Sequence, residues 1–317
     1  MLQDKQLFVG NFNCTFGRNN DPMLDYFFDI VFPAFKEGEK ISKDPSRKDF
    51  FVFENIMLTM QNGVFVIGGL IVKRTELEVK SNYDELGNLI PTDKKIPSDP
   101  YSYFMINLKN HRMTIVKNQK GSPTLKDFEK ASKYLLLDYV NNYNQKLSSG
   151  EEKLPRPYVN VVSIPHSGTI KEELKEVSKI EYLTLKFFPK NRDVSHEDTF
   201  EYLGNMLERA GSKTGNTTIN TPKNHDEVGK IIEETEALAK PTLRVHYNDG
   251  RKRTLKHNDF SETSHIQLDE EFSFSENLNV ISGKVINQEG YNTLSEENKK
   301  LYDKYYSQFE EFYDQNR

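Results

Sequence analysis

Histidine, cysteine and paired carboxylates are the side chains that could do covalent or metal chemistry, and here they are scattered. Histidines stand at positions 111, 166, 196, 225, 246, 257 and 265. None has the HExxH or HxxxH spacing that puts two imidazoles on one helix face, so no metal site is expected. His257 and His265 lie eight residues apart across an expected turn, too loose a pairing to hold an ion. Cys14 is the single cysteine. That excludes a disulfide within the chain, a thiolate cluster and a CxxC redox pair, and it suits a reducing cytosol. A buried, inert thiol is the expectation for it.

Phosphate loops need glycines where backbone amides approach an anion. "SIPHSGTIKEE" has Ser167 and Gly168 between an expected strand and helix, but neither a Walker lysine nor GxGxxG. No GxSxG elbow is present for a serine nucleophile. "LEVK" offers Glu78 and Lys80, with Glu76 two residues earlier, as the nearest approach to the Glu-x-Lys of a metal-dependent nuclease. A charged strand edge explains it better. No cofactor and no catalytic residue are expected, and a nuclease remains the weak alternative.

Binding chemistry has more support. Net charge is −5, from 43 basic and 48 acidic residues, which argues against a general nucleic-acid coat. Yet "HYNDGRKRTLKH" (246–257) and its approach gather Arg244, Arg251, Lys252, Arg253 and Lys256 against Asp249. On a two-stranded ribbon Arg251 and Arg253 share a face while Lys252 points oppositely. Such a ribbon can follow phosphates with salt-dependent affinity. "KFFPKNR" adds Lys186, Lys190 and Arg192 at a strand end. These eight residues are the candidate DNA contacts. Charge placed to keep a strand edge from aggregating is the competing account.

The elements that must position them form an α+β pattern. "KQLFVGNFNC" reads as a first strand. Asp21 and Pro22 are the expected cap and first position of a helix, "DPMLDYFFDIVFPAFKEG", apolar nearly all round. Residues 50–80 read as strands around an Asn62-Gly63 turn, and 81–100 as a mobile insertion. "YSYFMINLKNHRMTIVKN" is a hairpin turning near Asn110 and His111. Ser122 and Pro123 begin a long helix with Phe128, Ala131, Leu135 and Tyr139 on one face. "NQKLSSGEEKLPRP" is the best boundary, giving a β-rich domain over 1–150 and a mixed α/β domain over 151–317.

Beyond it come the strand "YVNVVSI", a short helix capped at Thr169, and the strand "KIEYLTLKFFP". A helix opens at Ser195 and ends at Gly211, and another spans about 224–239. A hairpin then turns at Asn248-Asp249-Gly250. The last helix, "TLSEENKKLYDKYYSQFEEFYDQ", lines Leu294, Leu301, Tyr305, Phe309 and Phe312 along one face, to pack on its own core or form a dimer seam. "GVFVIGGLIV" is roughly half the length needed to span a bilayer. With no basic-then-apolar leader at the start, a cytoplasmic protein that does not insert in a membrane is expected.

"VNVVSIPHSGTIKEELKEVSKIEYLTLKFFPKNR", then "HDEVGKIIEETEALAKPTLRVHYNDGRKRTL" and a polar terminal helix, resembles the RexA-like phage-exclusion proteins in its order of elements. "FFVFENIMLTMQNGVFVIGG" and "YFMINLKNHRMTIVKNQKG" suit that family's β-rich first domain. The resemblance implies an antiviral, abortive-infection role for a homodimer that binds duplex DNA with low sequence preference alongside a membrane-protein or other defence partner. It supplies no residue motif, so the DNA contacts rest on charge alone. The alternative is a protein-binding subunit of a defence complex, docking through its charged hairpins and aromatic helix.

Overall fold

In a computed structural model, residues 2–38, 50–189, 198–288 and 290–316 are described; Lys190, Arg192 and Ser195 lie outside them. The fold is α+β, with a strand-rich first half, later mixed elements and a C-terminal helix.

The first sheet is built on β1 (Leu2–Phe16). Asp21–Pro22 (β2) pairs back with its end instead of capping a helix. The chain then makes a 3-10 turn over Met23–Tyr26 and a π turn over Phe27–Val31 before α1 (Phe32–Gly38). Pro33 accounts for the irregular start, since it has no N–H for the preceding turn and the helix widens just before it. β3 (Phe50–Gln61) and β4 (Val64–Tyr83) join through Asn62 and Gly63, both at positive φ, as the Asn-Gly pair predicts.

β5 (Leu89–Ser98) pairs with the far half of β4, so residues 81–100, expected to be a mobile insertion, instead form most of a two-stranded arm. β6 (Tyr101–Asn107) and β7 (Arg112–Lys117) follow, turning at His111, whose φ is 55°. α2 (Leu125–Lys146) is capped by Thr124 in a reciprocal box with Asp127, two residues later than Ser122 suggested.

β8 (Pro157–Ser163) leads into α3 (Ser167–Lys175), whose cap is the His166 ring accepting from the Thr169 N–H, not Thr169 itself. β9 (Val177–Phe187), α4 (Asp198–Ala210), β10 (Gly215–Asn220) and α5 (His225–Glu233) come next. α5 stops short of 239 because Glu236 and Ala237 both take positive φ and turn the chain into β11 (Ala239–Tyr247). β12 (Lys252–Lys256) completes the basic hairpin. β13 (Ser264–Asp269) and α6 (Phe274–Val285) have no counterpart in the sequence reading; α7 (Glu296–Gln315) does.

All pairings are antiparallel. The first sheet runs β13-β1-β7-β6-β4-β3, with β2 and β8 also on β1 and β5 on β4; the second runs β10-β9-β11-β12. The division between sheets does not fall at residue 150. β8 pairs with β1 over Gly10–Phe16 and β13 pairs with it over Leu2–Leu7.

The first sheet is packed on both faces. Phe12, Phe53, Ile67, Phe104 and Ile115 meet α1, α2 and α7 on one side. Their neighbours Val66, Met105 and Val116 meet Leu278, Ile281 and Val285 of α6 on the other. Phe309 of α7 is fully buried among Phe27, Phe28, Phe65 and Tyr302, so the aromatic stripe packs on the chain's own core. Among the described residues no helix is long and apolar enough to cross a membrane.

Candidate nucleic-acid interface

The second sheet has two unlike faces because apolar and polar residues alternate along its strands. Leu183, Leu185, Leu243, Val245 and Leu255 turn to a core with Ile170 and Leu174 of α3, Val228 and Ile232 of α5, and Leu207 of α4. Among the described residues no helix lies over the opposite face, apart from α2 at one end. Register places four rows of side chains there. Asn216, Lys186 and Lys240 form the first; Thr218, Thr184, Thr242 and Lys256 the second. Asn220, Tyr182, Arg244 and Thr254 form the third, and Lys179, His246 and Lys252 the fourth. Among the described residues of the four strands this face holds six basic side chains and one carboxylate, Glu181, which a β-bulge brings round beside Arg244.

Hydrogen bonds fix side chains in the second, third and fourth rows. Arg244 donates from Nη1 to Thr254 Oγ1 at 2.9 Å, and its Nε stands 3.9 Å from Glu181. His246 Nε2 bonds the same carboxylate. That bond, with the charges of His246, Lys252 and Arg244, holds Glu181 below the usual carboxylate range. Thr184 and Thr218 share a 3.0 Å hydrogen bond across the strands.

One end of the open face abuts α2. Lys240 Nζ lies 2.5 Å from Glu129, and its side chain is only 19% exposed. Burial lowers its pKa against the pull of Glu129, with Lys186 and Lys133 adding to the lowering. Lys126, Lys130 and Lys133 occupy one exposed helical face at i, i+4 and i+7. His257, just past β12, accepts from the Ser163 N–H through Nδ1 at 3.3 Å. Burial, followed by the charges of Lys240, Lys256 and Lys126, pushes this imidazole down to about 4. Two elements more than a hundred residues apart thus share one field of positive charge.

The eight candidate contacts separate accordingly. Lys186, Arg244, Lys252 and Lys256 stand on the open face. Arg251 and Arg253 do not join them. Arg251 is 2.5 Å from Asp249 and lies over the Tyr247 ring. Arg253 is paired with Asp259 at 2.5 Å and Glu173 at 3.3 Å, on the helix side of the sheet. Lys190 and Arg192 fall outside the described residues. Sequence reasoning missed Lys179, Lys240 and the α2 lysines. The i, i+4, i+7 lysines were a visible signal, but nothing local ties that helix to the later hairpin.

Cys14 is buried. Glu78 and Lys80 pair with each other at 3.1 Å on the exposed arm. His265 bonds Asp4 at 2.6 Å across the β1–β13 pair, whereas His257 begins the turn that follows β12. Among the described residues no group of three or more His, Cys, Asp or Glu could hold a metal ion. Compared with family models, curated proteins and solved structures, the chain has no significant match.

Proposed function

We propose that this chain is a non-enzymatic nucleic-acid-binding protein that holds phosphates over the open face of its second sheet and the adjoining lysines of α2. The RexA-like resemblance supplies the setting, a sensor or effector of phage defence. One observation carries the binding reading. In a chain of net charge −5, the described residues of the four strands place six bases against one carboxylate on a single face, with one of the six, Lys240, paired to Glu129 of α2. Lysine–phosphate contacts need no catalytic geometry and release counterions, so affinity must fall with salt.

The test is fluorescence anisotropy of labelled DNA, duplex and single-stranded, across a salt series. Lys186→Glu/Lys256→Glu is expected to lower affinity and to flatten the plot of log K against log salt by about two contacts' worth. Absence of wild-type binding to either DNA at low salt would reject the reading.

A second reading, docking of a protein partner, is favoured by the β4–β5 arm. Leu77, Tyr83, Leu86, Leu89 and Ile96 are exposed there, while Glu76–Lys95 and Lys80–Asp93 pair among its charged residues. If that partner is a second copy, sedimentation velocity will show a dimer that Leu77→Asp/Ile96→Asp dissociates. A monomer at every concentration would reject the homodimer.

A further inference from the structure

We infer that the ligand of the open face is a single-stranded nucleic acid, its bases laid on the sheet and its phosphates on the basic margin. This rests on the phosphate-binding reading above and names the substrate class.

Three features point away from a duplex. The first is width. Four strands spaced about 4.8 Å apart make a face broader than a two-stranded ribbon, the widest β element that a major groove of about 12 Å admits. The hairpin cannot enter a groove alone, because β11 is hydrogen-bonded to β9 along its other edge.

The second is the corner formed with α2. Lys240 is mostly buried at the foot of that corner, ion-paired to Glu129, and Lys126 and Lys133 are near enough for their charges to act on His257 and Lys240. A flexible strand can touch both sides of such a corner. A stiff cylinder can bear on them only along lines.

The third is the distribution of chemistry across the face. Lysines occupy its two ends and the β12 margin, at Lys186 and Lys240, Lys179 and Lys252, and Lys256. The middle rows hold Thr218, Thr184 and Thr242, then Asn220, Tyr182 and Arg244. Threonine and asparagine offer hydrogen bonds to base edges. Tyr182 offers a ring, and Arg244, tethered to Thr254, offers a guanidinium plane. Bases can use such groups when they are unpaired and splayed, whereas a duplex presents mainly phosphates to a flat surface. A face meant for phosphates alone would have no use for a centre of threonine, asparagine and tyrosine side chains around a single arginine.

The experiment measures anisotropy of a labelled 20-nucleotide DNA strand, the same sequence as RNA, and the matched DNA duplex at equal salt. Wild type is set beside Tyr182→Ala, Tyr182→Phe and Lys186→Glu/Lys256→Glu, with melting temperatures checked for each. Single strands should bind more tightly than duplex. Tyr182→Ala should weaken them about five- to hundredfold, and Tyr182→Phe should retain affinity because the ring does the stacking. Comparison of the DNA and RNA strands identifies the natural sugar.

Equal or tighter binding of the duplex, still sensitive to the lysine variant, would overturn the single-strand inference and leave the phosphate reading standing. Single-strand preference unaffected by Tyr182→Ala in a folded variant would overturn the placement of bases on this face. No binding of any nucleic acid would overturn both.

Discussion

The two sheets obey the same pleat and use it differently. Along β4 and β6 adjacent residues are apolar on both faces, as in Val66-Ile67 and Met105-Ile106, and each face has a helix layer to meet. Along β9 and β11 apolar residues alternate with Thr184, Tyr182, Thr242 and Arg244, and the described residues lay a helix layer over one face alone. The first arrangement maximises burial; the second gives up half of it. The second sheet stays polar across that face, with lysines at its margins.

That contrast can be broken most severely in the first sheet. Phe104→Ala removes a ring packed against Phe35, Phe53 and Phe128 and should cost about 3–5 kcal/mol in denaturant unfolding. Thr184→Ala on the open face should change stability by less than about 0.5 kcal/mol. Equal costs for the two would mean that the second sheet's open face is packed after all.

The next effect is one of pH. The unfolded chain protonates His257 near 6.5, while the folded chain resists down to about 4. A depressed histidine pKa contributes stability that is fully present above about 6.5 and lost as pH falls toward 4, at most about 3 kcal/mol. Unfolding free energies of wild type and His257→Gln measured from pH 7 to 4 should converge as the pH falls. A parallel pair of curves would remove His257 from the account.

Gly68→Ala sharpens the claim that the first sheet is packed on both faces. A Cβ there would come 2.7 Å from Leu278 of α6, so a loss of about 1–3 kcal/mol is expected. An unchanged melting temperature would mean α6 can draw back freely. The smallest effect belongs to the arm. Leu77→Asp alone should shift monomer stability by no more than about 0.5 kcal/mol, because that side chain is 58% exposed.

Local chemistry made much of the fold readable. Asn62-Gly63 and Gly250 supply the positive φ values their hairpins need, and the stripe through Leu301, Tyr305 and Phe309 marks the buried side of α7. Distant pairings were not readable. The loop at 147–156 has the composition of a linker, but composition says nothing of where β8 and β13 will pair, and both return to β1. β10 was hidden because "GNTTIN" contains one apolar residue, Ile219, and therefore no alternation.

The site divided along the same line. Arg251 and Arg253 look available in sequence, yet Glu173, which engages Arg253, is 80 residues away. Lys126 and Lys133 look like an ordinary solvated helix face until α2 is set beside β11.

The first strand imposes an order on synthesis. β1 emerges before all its partners, and beyond the short β2 these span 112–117, 157–163 and 264–269, with Leu2 opposite Asp269. Its edges stay unsatisfied until those segments have been translated, and the aromatic cluster closes only when α7 arrives. Loops of that length are slow to close, so folding should be slow for a chain of this size and the nascent strand exposed to wrong partners. The second sheet draws all its strands from residues 177–256 and needs no such wait. On the ribosome, the second sheet can therefore form before the first is complete.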